Sequence, residues 1–147
     1  MFSKRILGLL AAIVLVICGF PIGYLASPRW DVWVLTGDGT PISGTDVSLR
    51  YMNYSAEGES HSEDLKTDEN GHVLFHPHYG KANVYQRIFY TLSSAQAGVH
   101  AGFGRHANVS AFGNAGEYIG TSVSGQYVED WQGHPASMQS KIIARTP

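Results

Sequence analysis

The sequence predicts a mainly β protein, an antiparallel β-sandwich carried behind one transmembrane helix. Three observations predict it. An uncharged stretch runs from Ile6 to Leu25 behind Lys4 and Arg5. The whole chain combines 17 glycines and 12 % aromatic residues with only 15 % charged ones, the profile of short strands separated by frequent turns. Finally, several segments alternate apolar and polar residues with the two-residue period of a half-buried strand.

Twenty helical residues at about 1.5 Å each span roughly 30 Å, the hydrocarbon thickness of a bilayer. Residues 6–25 are therefore expected to contact lipid as a signal-anchor, with 1–27 the anchor and 28–147 the working domain. Positive charge before the apolar run places the N-terminus in the cytoplasm and the domain outside it, periplasmic or extracellular. A cleaved signal peptide, which would leave a secreted domain, is disfavoured because Tyr24 or Leu25 occupies the position where cleavage needs a small residue. Cys18 is read as one more apolar group of the helix, since Ile17 stands where a lipidation site needs a small side chain.

Residues 28–147 suffice for one domain with a core and contain no cysteine, so stability must come from packing. Without Lys4 and Arg5, eight basic residues face 12 acidic ones, a formal charge of −4 that gives nucleic acid no attraction.

Trp30 to Leu35 reads as the first strand, with Trp30, Val32 and Val34 on one face. Thr36-Gly37-Asp38-Gly39 is a turn. After Pro41, Val47, Leu49 and Tyr51 alternate with Asp46, Ser48 and Arg50 along a second strand. Residues 53–64 are polar and acidic and read as a solvated loop, followed by a short strand around Leu65. Asn70-Gly71 is a hairpin signal, with His72 to His76 the return strand, Val73 and Phe75 inward, and Pro77 its end. Residues 84–99 hold a short helix around Leu92 to Ala97 or an irregular insertion. Arg105 to Phe112 reads as a strand with Ala107, Val109 and Ala111 on one face, and Met138 to Arg145 as the last, with Ile142 and Ile143.

Asp38-Gly39-Thr40-Pro41-Ile42 opening an alternating strand, with Thr67-Asp68-Glu69-Asn70-Gly71-His72-Val73-Leu74-Phe75 after it, resembles the carboxypeptidase regulatory-like domains. That resemblance covers residues 30 to 76 and implies a transthyretin-like Greek-key sandwich. It says little about activity, because such sandwiches serve as enzyme appendages, adhesion modules and surface domains. The second half departs from the family, with Pro77-His78-Tyr79-Gly80 where a Pro-Gly-x-Tyr turn is usual. The same fold underlies intradiol dioxygenases, whose iron is held by tyrosines and a His-x-His strand. Arg105-His106-Ala107-Asn108 is faintly similar to that strand but has Asn108 in place of the second histidine.

The metal candidates are His72, His76, His78 and His106, with His100 as a further donor. His72, His76 and His78 share parity and would share one face of an unbroken strand, where imidazoles could hold zinc or copper. Glu129 and Asp130 beside Trp131 offer carboxylates near an aromatic platform, as carbohydrate chemistry uses, although adjacent strand residues point to opposite faces. No nucleophile motif is present. Asn53 and Asn108 begin glycosylation sequons. Tyr51, Tyr54, Tyr79, Tyr85, Tyr90, Tyr118 and Tyr127 could line a binding surface but suit sheet-covering roles. The expectation is a non-enzymatic module without a cofactor, structural or binding a protein or glycan. The alternative is a metal-dependent or carbohydrate-active enzyme using the histidine face.

Overall fold

The computed structural model describes residues 4–113, 118–119 and 131–144. Helix α1 (Lys4–Gly19) leads into strands β1 (Ile22–Ser27), β2 (Arg29–Leu35), β3 (Asp46–Asn53), β4 (His61–Lys66), β5 (His72–Phe75) and β6 (His78–Ala82). Helix α2 (Val84–Ala95), a 3-10 turn (Gly98–His100) and strands β7 (Arg105–Phe112), β8 (Tyr118–Ile119) and β9 (Ser137–Ile143) follow. The strands form a three-stranded sheet β5-β2-β9, a four-stranded sheet β4-β3-β7-β8 and a two-stranded ribbon β1-β6.

Alternation places the core. Trp30, Val32 and Val34 of β2, Val73 and Phe75 of β5 and Ile142 of β9 cluster with Val47 and Leu49 of β3 and Ala107, Val109 and Ala111 of β7. Each strand gives every second residue to this layer, as the pleat requires. The sequence groups the same residues on one face of β2, β3 and β7 and names Val73 and Phe75 of β5 as inward.

The expected transmembrane helix is not what forms. Helix α1 has 16 residues and stops at Gly19, and among the described residues no helix is long and apolar enough to cross a membrane. Pro21 is the cause: it has no N–H for a helical bond and drives Phe20 away from the helical region. Beyond it, Ile22 to Ser27 pair as a strand with β6, so the last four residues of the apolar run, Ile22 to Leu25, are β structure.

Prolines also shape that ribbon. The register that pairs Trp30 with Phe75 pairs Ser27 with His78, placing Pro28 opposite Pro77. Neither can donate to the ladder, so one long antiparallel ribbon is interrupted between β2–β5 in the sandwich and β1–β6 beyond it. Both helices attach to the far end of β1–β6, where Ile22 pairs with Ala82.

Three further expectations change. The sandwich is not purely antiparallel, because β9 runs parallel to β2 from Arg29–Ser137 to Leu35–Ile143. Asn70-Gly71 does not close a hairpin: β4 pairs with β3, β5 with β2, and the turn carries the chain from one sheet to the other. It is held by the Asp68 side chain, whose Oδ1 accepts from the backbone N–H groups of Asn70 and His72 at 2.8 and 2.9 Å. The helix of the second half is α2, earlier than Leu92–Ala97, because Asn83 and Gln86 form a capping box that fixes its start.

Candidate functional site

The most structured polar cluster lies where the β1–β6 ribbon meets β3, β4 and α2. Tyr51 of β3 faces His61 of β4 across the ladder, and the rings stack with centroids 5.2 Å apart. The Tyr51 ring also stacks on His78 of β6 at 4.8 Å. Each imidazole is anchored by a carboxylate: His78 Nε2 lies 2.8 Å from Glu63 Oε2, and His61 Nε2 lies 3.0 Å from Glu57 Oε2.

Asn53 brings Glu57 into the cluster. Its side-chain oxygen accepts from Ser55 N–H, its carbonyl accepts from Ala56 and Glu57 N–H, and its own N–H donates to Glu57 Oε1 at 2.6 Å. Such side-chain-to-backbone bonds fold the chain back over a few residues. Tyr24 enters from β1 because its partner in the ribbon is Gly80. Its ring lies where a Cβ at position 80 would be, a close approach only glycine permits.

Burial pushes the Tyr24 phenol above its ordinary pKa, the neighbouring Glu57 adds to this, and the Arg87 guanidinium, 5.5 Å from the ring centroid, opposes it. The Tyr51 phenol is also raised, first by burial and then by Glu63 and Glu57. Both phenols are therefore neutral at physiological pH and able to donate hydrogen bonds. Because neutral phenols are favoured in the fold, the stabilisation they provide is intact below pH 10 and is lost as pH rises through the raised values. Tyr24→Phe and Tyr51→Phe are each expected to reduce the loss of stability above pH 10, read as melting temperature against pH. An unchanged alkaline slope in both variants would exclude these phenols as its source.

Between these groups lies a cleft of about 320 Å³, lined by Tyr24, Tyr51, Glu57, His61, Lys81 and Tyr90 among others. This is the small end of the range for small-molecule sites, roughly 300–1,000 Å³. Phenols, a carboxylate and an ammonium around one concavity suit recognition of a polar group. No set of three histidine, cysteine, aspartate or glutamate side chains among the described residues is arranged to hold a metal ion.

The sequence-selected histidines occupy separate places. His72 on β5 sits 3.1 Å from Asp31 Oδ1 and tilts against Trp33 at 4.8 Å. The Asp31 carboxyl is held below its usual pKa by hydrogen bonding to Arg29 and then His72. Asp31→Asn is therefore expected to remove part of the stability that wild type loses as pH falls below the ordinary aspartate range, checked by acid titration of the melting temperature. His76 is exposed between β5 and β6, His78 belongs to the Tyr51 stack, and His100 is in the 3-10 turn. His106 on β7 lies 2.9 Å from the Phe103 carbonyl and packs edge-on to Tyr54. The shared face of His72, His76 and His78 does not form, because Pro77 ends one strand and β6 belongs to a different sheet.

Trp131 is no surface platform: it is 1 % exposed, part of the core, with the Arg105 guanidinium 5.7 Å from its ring centroid. Glu129 and Asp130 lie outside the described residues. Asn53 of the first sequon is buried and engaged in its turn; Asn108 pairs with Arg50 inside the four-stranded sheet.

Sequence reasoning missed His61, Glu57 and Glu63 by reading residues 53–64 as solvated loop. The missed signal is Asn53-Tyr54-Ser55-Ala56-Glu57, an Asn followed by small and acidic residues directly after a strand, which favours a tight return. No protein-family model, no curated protein and no solved structure matches this chain.

Proposed function

We propose that this chain is a non-enzymatic β-sandwich module held at a lipid surface by α1, with the Tyr24–Tyr51–Glu57 cleft as its recognition surface for a protein or glycan partner. The observation that carries the reading is α1 itself. From Ile6 to Gly19 it has no charged residue, and none of its side chains is buried. Leu7 and Ile17 are each 65 % exposed and Leu9 is 63 % exposed, on different sides of the helix. A helix apolar all round needs an apolar medium, since leaving each large aliphatic side chain in water forfeits about 1.5–3 kcal/mol. Lys4 and Arg5 at its start would add about 1 kcal/mol each against an anionic leaflet. The stretch that resembles the carboxypeptidase regulatory-like domains supplies β2, β3, β4 and β5, which supports a scaffold role for the sandwich.

Vesicle flotation tests the reading. The full chain is expected to float with anionic vesicles, and a variant carrying Leu9→Asp and Val16→Asp to stay at the bottom of the gradient. A wild-type chain that remains at the bottom as a monodisperse species overturns it.

A further inference from the structure

Helix α2 is amphipathic in an inverted sense. Its inward side is polar or aromatic: Arg87 covers the Tyr24 ring, Tyr90 lies against Gly58, and Ser94 Oγ donates to the Tyr54 carbonyl at 2.9 Å. Its outward side is the apolar one. Tyr85, Ile88, Phe89 and Leu92, at the spacing of one helix face, are 44, 54, 66 and 62 % exposed. Just beyond the helix, Val99 is 97 % and Phe103 50 % exposed. This face joins α1 directly, because the Tyr85 hydroxyl donates to the Leu15 carbonyl at 2.9 Å.

Charge is segregated in the same way. No Asp or Glu occurs in residues 1–30 or 70–116, which include α1, the ribbon, α2 and β7, whereas Lys4, Arg5, Arg29, Lys81, Arg87 and Arg105 do. The acidic residues of the described chain lie between Asp31 and Glu69. Glu57 reaches this end from outside those segments, at the cleft on the inward side of α2 with Tyr24 and Tyr90, while the outward face of Tyr85, Ile88, Phe89 and Leu92 carries no charge. An uncharged apolar helix face beside an apolar helix that starts with two cations is the pattern of a surface that rests in an anionic membrane interface.

We infer that the outward face of α2 is a second lipid-contacting element, seated in the headgroup region of an anionic bilayer beside α1. The inference rests on the proposed attachment through α1 and goes beyond it by fixing which side of the sandwich faces the lipid. Lipid is favoured over a second copy of the chain by continuity: the face adjoins α1 through the Tyr85–Leu15 bond, and α1 is apolar and exposed on every side, more than the single stripe of a second α2 would cover.

The test uses the full chain with Cys18→Ser, the only native cysteine removed, and a single new cysteine carrying an environment-sensitive fluorophore at Leu92→Cys or, as control, at Ser62→Cys on β4. On vesicles with an anionic lipid, the probe at position 92 is expected to shift to the blue, brighten several-fold and be quenched by spin labels placed near the headgroups, while the probe at 62 stays unchanged. A chain that floats while the position-92 probe remains in water overturns this inference and leaves the attachment through α1 standing. A chain that does not float overturns both. A position-92 probe already dry without vesicles, in a chain that sediments as a dimer, overturns the lipid assignment in favour of self-association.

Discussion

Trp30→Ala is expected to destabilise the protein by about 3–5 kcal/mol, the range for removing a fully buried large aromatic side chain. That is a large share of the roughly 5–15 kcal/mol that holds a typical domain together. Trp30 is 0 % exposed and sits on the central strand of its sheet, paired with Phe75 on one side and Met138 on the other. The loss has two parts that can be separated. The ring fills the space between the sheets, while its Nε1–H donates to Ser140 Oγ at 2.9 Å. Ser140→Ala is expected to cost only about 1 kcal/mol, the value of a single neutral hydrogen bond. Urea unfolding checks both, through the midpoint with the slope held constant. A Trp30→Ala midpoint close to wild type would mean that β2 is not the centre of the core.

Local patterns were readable where one face of a strand meets the core. Trp30-Val32-Val34 and Ala107-Val109-Ala111 are inward as their alternation requires, because a one-residue slip would turn every buried side chain to water. Pairing was less readable. Asn70-Gly71 carries the local chemistry of a hairpin, yet the strands on either side enter different sheets. Gly71 accepts this role because its backbone is left-handed at φ 67° and its carbonyl takes the Val34 N–H at 2.8 Å. Both facts depend on β2, more than thirty residues earlier in the chain. The parallel pairing of β9 with β2 likewise joins residues far apart in sequence, Trp30 with Met138.

At the N-terminus the error came from letting hydrophobic length outweigh the breaker, Pro21. Ile22 to Leu25 are apolar in either conformation, and the choice falls to Pro21 and to a waiting partner strand, Tyr79 to Ala82. The candidate site was illegible for a related reason. Tyr51 and His61 meet through the register of β3 with β4 and His78 comes from a different sheet, so their spacing in sequence carries no signal. Charge segregation was present in the sequence throughout. Its meaning depends on finding that β1, β6 and both helices occupy one end of the molecule.

Gly71→Ala is expected to be the most damaging of the small substitutions, at about 2–4 kcal/mol, because two costs add. A left-handed backbone disfavours any side chain by about 1–2 kcal/mol. The new Cβ would also lie 2.6 Å from the Val34 carbonyl oxygen and 3.1 Å from the Ile42 nitrogen. Those are backbone atoms, tied together by the Ile42 N–H to Val34 carbonyl bond of 3.0 Å, so they cannot turn aside as a side-chain tip could. Gly39 supplies the comparison: its φ is 88°, but a Cβ there would meet nothing within 4 Å. Gly39→Ala should therefore show the conformational cost alone, about 1–2 kcal/mol. The difference between the two variants in urea unfolding measures the collision with β2. Equal losses would mean that the turn can move away from Val34, and that the bond closing the corner between the sheets contributes little to holding them together.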